Sequence, residues 1–552
     1  MTTTVAGAER TAGVPGRGAR GRRRSHTLAG TWALVRFLLR LDRLRLPVWI
    51  AGIVLTVLSS ASSIKALYPT QADLDAAAEP LYDNAAVIAL QGPTYAIDTL
   101  GGNIVFNIGG FGYVVVALMA MFLLGRHTRA DEEAGRTELL RAAVVGRNAP
   151  VTAALVVTGG GLAVTGVLIT LSMLALDLPT AGSVAYGAAM ASFGLFFAGV
   201  TAVAAQVTEH NRPAYGITGA LLGLSFIVRA VGDAGDGTLS WLSPMGWAQS
   251  VRPYAGERWW PLLMLVAGSI ALVGVAYALL GRRDLGGGLV AARPGPPTAS
   301  EWLGRPWGLA VRLQRATLLA WAAGLVVSGI AYGSLGEDVA DLVGDSEDLA
   351  DIIAQAGGSL TDSYFSTSLL MLAIVTGGYT VSSALRARSE EASGRAEPLL
   401  ATALPRTQWA GTHLAVAVGG STLILAATGA AMGATYGLII GDAGQVTRLT
   451  GAALGFAPAL WVLAGLATAL FGVVPRVAVA ASWAVYAWCA LVGFFGQLLD
   501  LPQWAMDLSP FEHVPELPAQ GVEWLPLAVL TLVAAALTAV GLAGLGRRDA
   551  GY

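Results

Sequence analysis

Long apolar segments that contain almost no charged residues recur along the chain. The first half has six, at residues 47–65, 106–125, 150–176, 183–208, 214–229 and 260–281. The second half has six more, at residues 316–334, 364–385, 411–440, 449–474, 477–499 and 524–546. Because a helix needs about 20 apolar residues to cross the hydrocarbon core of a bilayer, the pattern predicts twelve transmembrane helices. The fold class is therefore an all-α polytopic membrane protein.

The composition supports the same class. Of the 552 residues, 55% are hydrophobic and 13% are charged, with a mean hydropathy of +0.61. A soluble domain carries about 25% charged residues. The net charge of −2 gives no basic field for nucleic acid. With Cys489 as its one cysteine, the chain has no intramolecular disulfide and no thiolate metal cage.

The basic residues predict the orientation in the plasma membrane. With twelve spans and the N-terminus inside, 29 of the 34 Lys and Arg residues fall on one side. This side is cytoplasmic by the positive-inside rule, and both termini lie there. Residues 1–30 are predicted to be a disordered basic cytoplasmic tail, since their arginines accompany no apolar segment of the kind found in signal peptides.

Two cytoplasmic segments, residues 129–147 and 388–406, align without a gap and share eight of nineteen residues. The shared residues are Arg129, Glu132, Gly135, Arg136, Glu138, Leu140, Ala142 and Arg147, which recur as Arg388, Glu391, Gly394, Arg395, Glu397, Leu399, Ala401 and Arg406. Gly-Arg-Arg-Asp also follows the sixth and the twelfth segment. These matches predict two homologous six-helix halves in a parallel repeat, residues 31–284 and 306–552, joined by a cytoplasmic linker at 285–305.

The aligned segments, here called the coupling loops, predict short amphipathic helices at the membrane surface. Glu132 with Arg136, and Glu391 with Arg395, have the favourable acid-first i, i+4 spacing. Basic residues alone would be enough to set the topology. The recurrence of the acids at the same spacing in the second half therefore favours partner binding over a solvated loop. Residues 32–46 and 307–315 suit amphipathic interfacial helices, and equally suit basic flanks that only set the topology. On the outer side, residues 241–260 and 504–524 share Leu-Ser-Pro and several tryptophans, which predict a structural cap.

No enzyme motif accompanies this architecture. The chain has no GxxxxGK[ST] phosphate loop, and Lys65 is its one lysine. No acid or base lies well inside an apolar segment, so no proton or sodium relay is evident. The five histidines are scattered. We therefore expect a transport subunit that is not itself an enzyme and contains no cofactor or metal.

In its acid-acid-x-x-Gly-Arg-x-Glu loops and six spans per half, the chain resembles the ABC-2 type permeases. More narrowly, it resembles the fused twelve-span exporters of polyketide antibiotics, the tetronasin-type permeases. The resemblance covers nearly the whole chain after residue 30, including Gln91-Gly92-Pro93 and Thr99-Leu100-Gly101-Gly102. It implies that ATP and Mg²⁺ bind to a separate ATP-binding subunit, present in two copies.

The resemblance also assigns residues. The loop after the second span of each half would be a coupling helix that docks into the ATPase subunit. The docking residues would be Glu132, Gly135, Arg136 and Glu138 in the first half and Glu391, Gly394, Arg395 and Glu397 in the second. Pro398 replaces the counterpart of Leu139, so the second helix is expected to end or kink there, and the two docking sites need not be equivalent.

The expected substrate is a small hydrophobic or amphipathic compound, since the spans offer aromatic and small residues without charges. Candidates for the substrate cavity are Phe111, Tyr113, Met119, Met121, Met371, Tyr379 and Tyr486. Two other functions stay open. A major-facilitator-type ion-coupled drug carrier would stop when the proton gradient collapses, whereas an ATP-driven exporter would continue. A membrane scaffold or sensor would recruit a partner through the loops without moving any solute.

Overall fold

The computed structural model describes residues 26–82, 85–136, 145–283, 287–290, 297–336, 360–496 and 501–548. All regular secondary structure in these ranges is helical. The chain forms two compact units that divide between Arg293 and Pro294, within the predicted linker. The fold class expected from the apolar segments, an all-helical polytopic membrane protein, is confirmed.

The first unit contains seven principal helices among its described residues. They are α1 (Thr31–Leu41), α2 (Arg45–Leu67), α3 (Leu100–Gly125), α4 (Ala149–Leu174), α5 (Thr180–Val207), α6 (Asn211–Asp233) and α7 (Trp260–Arg282). Shorter helices are Gln71–Ala78, Ala85–Gln91, Asp131–Glu133 and Pro244–Gln249. Helices α3 and α5 form the centre of this unit, with 72% of their most apolar stretch buried against 17% for α2 and α7.

The second unit is built in the same way. Its helices are α8 (Pro306–Ser334), α9 (Leu360–Ala384), α10 (Arg406–Ile440), α11 (Gly444–Leu454), α12 (Ala457–Val473), α13 (Ala478–Phe495) and α14 (Trp524–Arg547). Short helices cover Arg386–Ala392, Glu397–Leu400 and Gln503–Met506. The segment from α11 to α12 and the helix that contains α9 are 72% and 78% buried, whereas α8 and α14 are 17% buried. The poorly buried helices are the ones whose apolar surface suits lipid.

Eleven helices in the described ranges are long and apolar enough to cross a membrane, when α11 and α12 are taken as one span. The twelfth predicted segment, 477–499, contains α13, which is shorter, and residues 497–500 lie outside the described residues. The count of twelve therefore stays a prediction.

The two interfacial helices differ. Residues 31–41 form the separate helix α1, whose Leu34, Val35 and Leu38 are buried. Residues 307–315 instead form the first turns of the 29-residue helix α8. The physical reason is Pro47, which stands in the first turn of α2. In a continuous helix it could not donate a hydrogen bond to the carbonyl oxygen of Arg43 and its ring would clash with that group, so the helix breaks at residues 42–44. When Trp49 is aligned with Trp321, the counterpart of Pro47 is Leu319, and the second helix continues without a break.

Helix α12 packs on α14 through small residues, as transmembrane helices often do. A Cβ atom added to Gly472 would lie 2.0 Å from the carbonyl oxygen of Gly541. One added to Gly541 would lie 2.5 Å from the backbone of Thr468. Backbone atoms cannot move aside as a flexible side chain can, so these glycines set the distance between the two helices.

We therefore expect Gly541→Leu to destabilise the second unit by about 2 kcal/mol, the usual effect of overpacking. Cys489 is fully buried, so its alkylation by a thiol reagent reports unfolding during a temperature ramp in detergent. The variant should be labelled at a temperature several degrees lower than the wild type. The matched control is Gly324→Leu, because a Cβ there would meet no atom within 4 Å. Equal midpoints for both variants would contradict the packing argument.

Candidate functional site

The two coupling loops begin in the same way. Helix α3 continues beyond Gly125 through a π-helical segment, Arg126–Ala130, and a last turn, Asp131–Glu133. Helix α9 is likewise followed by Arg386–Ala392. Gly135 and Gly394 come next, with left-handed φ angles of 70° and 72°. A glycine in this conformation ends a helix and turns the chain, and other residues adopt it at a cost of about 1 kcal/mol or more.

A glutamate ties each loop to the last helix of its unit. Glu132 accepts two hydrogen bonds from Arg283, at 2.6 and 2.9 Å, and one from Arg129 at 2.6 Å. Glu391 accepts hydrogen bonds of 2.8 and 2.6 Å from Arg548. Arg283 and Arg548 belong to the Gly-Arg-Arg-Asp sequences that close α7 and α14. The two repeated motifs therefore contact each other in both units.

The arginines that recur at the two ends of each loop form further hydrogen bonds. Arg129 Nε donates to the carbonyl oxygen of Glu209 at 2.7 Å, and Arg147 donates to that of Arg283 at 2.8 Å.

In the second unit Arg388 Nε donates to the carbonyl oxygen of Pro475 at 3.1 Å, and Arg406 donates to that of Arg548. Each loop is thus attached both to the last helix and to the turn that follows the fourth span of its unit. These contacts hold the described residues at both ends of each loop against the helix ends.

The predicted i, i+4 pairs are wrong. Arg136 contacts Asp131 at 2.9 Å, and Arg395 contacts Glu390 at 2.7 Å. The glycine between the acid and the arginine ends the helix, so the two residues no longer share a helical face. The hydrogen bond to Glu390 raises the pKa of Arg395. Glu132 and Glu391 are left to pair with arginines distant in sequence.

The last acid of the motif has different surroundings. Glu397 is exposed at the start of the short helix Glu397–Leu400, and its carboxylate has no hydrogen bond or ion pair to any residue the structure describes. Its counterpart Glu138 lies outside the described residues, as do 137–144. Pro398 does not end this helix but stands in its first turn, where a missing N–H leaves no hydrogen bond unmade.

A buried polar pair, which the sequence analysis did not identify, lies beside the first loop. Asp42 follows α1, is fully buried and contacts His127 and, at 3.4 Å, Arg126. The alignment of Trp49 with Trp321 places Gln314 at the position of Asp42. Gln314 is also buried, and its amide contacts His413 at 3.2 Å. The alignment of the two tryptophans is the sequence signal that could have identified this pair. The apolar segments give none, because Asp42 precedes the first of them.

Buried charges also occur on the opposite side of the first unit. Arg229, at the end of the fifth predicted segment, is fully buried and lies 3.6 Å from Asp233. It donates to the carbonyl oxygens of Ile88 and Leu90 at 3.3 and 3.2 Å. Both charged residues lie at the end of α6 and not well inside an apolar segment, so the segment pattern gives no signal for them.

Among the described residues of each unit, the candidate substrate residues do not line one common cavity. Tyr113, Met119, Met121 and Tyr379 are buried in helix packing, and Met371 and Tyr486 are half-buried. Phe111 is 64% exposed and lines an apolar pocket of about 380 Å³ between α2 and α3, with Trp49 and Ile53. Tyr113 borders a narrow cleft that reaches the N-terminal end of α3. The path of the substrate stays a prediction.

Two comparisons with known proteins bear on this arrangement. Residues 303–545 match the family described as "Multidrug efflux system permease Rv1217c, C-terminal domain". Over 558 aligned positions that cover all of both proteins, the chain is 40% identical to the multidrug efflux system permease protein Rv1217c of Mycobacterium tuberculosis (strain ATCC 25618 / H37Rv). Identity at this level along the full length of both proteins places the chain in the family of the multidrug efflux system permease Rv1217c.

Proposed function

We propose that the chain is the membrane-spanning permease of an ATP-driven exporter for hydrophobic or amphipathic compounds, including drugs. The two coupling loops dock two copies of a separate ATP-binding subunit on the cytoplasmic side, where both termini lie. The relative is described as part of a multidrug efflux system. The chain contains no phosphate-binding loop, so ATP hydrolysis belongs to the partner.

The observation that carries the proposal is the recurrence of the same contacts in both loops. A glutamate binds the arginine at the end of the last helix, a second acid binds the arginine after the glycine, and the glycine is left-handed. A solvated loop that only fixes topology needs none of these contacts. Contacts that recur in the described residues of both loops suit a partner that offers two equivalent grooves.

The contacts also divide the motif between two roles. Glu132, Glu391, Gly135 and Gly394 shape the loop and attach it to the helix ends. Glu397, exposed and without a described partner, is available to a basic groove on the ATPase, and Glu138 has the equivalent place in the sequence. Docking and transmission of the movement are therefore carried by different residues of one motif.

The contacts between each loop and the helix ends of its unit give a mechanism for transmitting movement. When ATP closes a pair of ATPase subunits, the docked loops are displaced. Because each loop is held by the ends of other helices in its unit, its displacement moves these helix ends as rigid bodies. Helices respond by tilting, which exchanges access from one side of the membrane to the other.

An ion-coupled carrier is the second candidate, since Asp42 and His127 form a buried polar contact in the first unit. In this case collapse of the proton gradient by an uncoupler should stop efflux at once while cellular ATP is maintained. The ATP-driven exporter should continue to pump under the same conditions.

Docking is tested by charge reversal. We expect Glu138→Lys combined with Glu397→Lys to reduce the amount of co-purified ATP-binding subunit at least roughly tenfold, as expected when a charge-assisted contact becomes repulsive. The measurement is quantitative mass spectrometry after affinity purification in mild detergent. Glu301→Lys, an exposed acid in the linker region, is the matched control and should retain the subunit. Equal recovery from both variants would refute docking through these acids.

Transmission is tested separately by Glu132→Gln combined with Glu391→Gln. Each change removes the charge that holds Arg283 or Arg548 while the exposed acids remain. We expect the ATPase to co-purify as in the wild type, while drug efflux from cells falls at least roughly tenfold, because loss of one member of a nearly buried ion pair weakens the attachment. The conservative Arg283→Lys, Arg548→Lys variant should keep part of the efflux. Loss of both binding and efflux would assign these glutamates to docking instead.

A further inference from the structure

A polar cavity lies in the first unit, on the side opposite the coupling loops. Its volume is about 320 Å³, and its walls include Pro93, Tyr95, Trp241, Gln249, Arg252 and Arg258. We call it the outer vestibule. Tyr95, Gln249 and Arg252 also border the narrow cleft of about 20 Å³ that follows α3 as far as Tyr113. A space of this size holds about one water molecule, so the vestibule narrows sharply towards the membrane interior.

Several buried polar atoms in this region have no partner. Gln91 Oε1, Gln249 Oε1 and Arg252 Nε are buried and form no hydrogen bond with any part of the chain that the structure describes. Buried polar groups in proteins are almost always satisfied, and exceptions call for an explanation. One donor and two acceptors thus remain available on three residues that border the same cleft.

The backbone around the vestibule is strained. Arg252 and Tyr254 have left-handed φ angles of 53° and 64°, and Ala96 has one of 49°. The hydroxyl of Tyr254 is held by Ser183 at 3.0 Å. Left-handed residues other than glycine tend to cluster at functional sites, where the surrounding structure holds them in place.

Two further contacts orient the polar groups. The guanidinium of Arg252 lies 4.2 Å from the centre of the Tyr95 ring, which fixes its plane. The amide of Gln249 donates to the carbonyl oxygen of Gln91 at 3.0 Å. A Cβ at Gly92, where φ is +120°, would lie 2.2 Å from Gln249 Nε2. The motif Gln91-Gly92-Pro93, which has no role in the coupling loops, thus positions Gln249.

The charge in the vestibule is positive. Asp233 is balanced by Arg229 at 3.6 Å. The backbone N–H of Thr238 binds Asp236 at 3.0 Å and lowers its pKa, so this carboxylate stays ionised. Arg252 and Arg258 have no carboxylate within ion-pair distance among the described residues. Their two charges exceed the one of Asp236, so the vestibule keeps a net formal charge of +1.

We propose that the outer vestibule binds the acidic head group of an amphipathic molecule, a carboxylate or phosphate that also carries a hydroxyl or amide N–H. Arg252 binds the acid, and Gln91 and Gln249 accept hydrogen bonds from the adjacent donor. The apolar body lies against Trp241, which stacks on Trp260 at 5.0 Å. Tryptophans of this kind favour the membrane interface, so the body of the ligand extends towards lipid.

The head group has two possible sources, an exported amphiphile or an anionic phospholipid of the same leaflet. That the ligand is cargo rests on the proposed export function, whereas binding itself does not. Binding is therefore measured on the purified chain alone, without an ATPase, so that a failure here is separate from a failure of coupling.

The probe is N-[11-(dansylamino)undecanoyl]glycine, which carries an amide N–H beside its carboxylate and whose fluorescence increases in an apolar site. It is titrated into the chain in phosphatidylcholine nanodiscs, with and without phosphatidylglycerol. We expect saturable binding that Arg252→Gln weakens roughly tenfold to a hundredfold, the usual effect of losing a charge-assisted hydrogen bond. Arg252→Lys, which keeps the charge but not the planar fork, should give an intermediate value.

Lys65→Gln is the control. Lys65 lies on the same side of the unit and binds the carbonyl oxygen of Leu176 at 2.9 Å, away from the vestibule, so its loss should leave binding unchanged. Elution from size-exclusion chromatography establishes that each variant is folded.

Displacement of the probe by phosphatidylglycerol would assign the site to lipid. Retention of the probe in the presence of phosphatidylglycerol would assign it to a soluble amphiphile. Equal affinity of the wild type and a folded Arg252→Gln variant, or no saturable binding to the wild type, would overturn the proposal.

Discussion

The hydrocarbon interior of a membrane accepts neither an unpaired backbone group nor an unpaired charge. The first restriction produces long helices, and the second drives the charged residues to the helix ends. Charges that gather there are partly removed from water, so they must pair with one another. In both units this pairing joins the glutamate of the coupling loop to the arginine at the end of the last helix. The contacts proposed to transmit movement thus follow from the same restriction as the spans.

The two units differ in the polar contact made beside α1 and by the equivalent first turns of α8. In the first unit Pro47 separates α1 from α2, and the buried Asp42 faces His127. In the second unit the helix is continuous, and Gln314 faces His413 and Ser383. The first contact joins a carboxyl group to an imidazole and a guanidinium, whereas the second joins an amide to an imidazole and a hydroxyl.

Helix α3 connects the two proposed sites of the first unit. Near its start, Gly102, Val105 and Phe106 border the cleft of the outer vestibule, and its extension ends at Glu133 beside the coupling loop. A rigid helix held at both ends can carry a displacement along its axis without any change in its own hydrogen bonds. The physical link between ATPase docking and ligand release would then be a single structural element, much of it buried at the centre of its unit.

Periodicity, charge bias and the aligned loops were readable from the sequence because each depends on local composition or on direct repetition. They were sufficient for the helical membrane fold and for locating the coupling loops. The helix end at Gly135 was also a local signal, since a glycine after an acidic turn is a usual stop, but the i, i+4 spacing was given priority. The partners of Glu132 and Glu391 were decided only by the tertiary structure. Arg283 and Arg548 lie more than 150 residues further along the chain, and no periodicity encodes such a contact. The outer vestibule was likewise decided only by the tertiary structure. The segments around Gln91 and Arg252 line a common cavity only once the helices between them have packed.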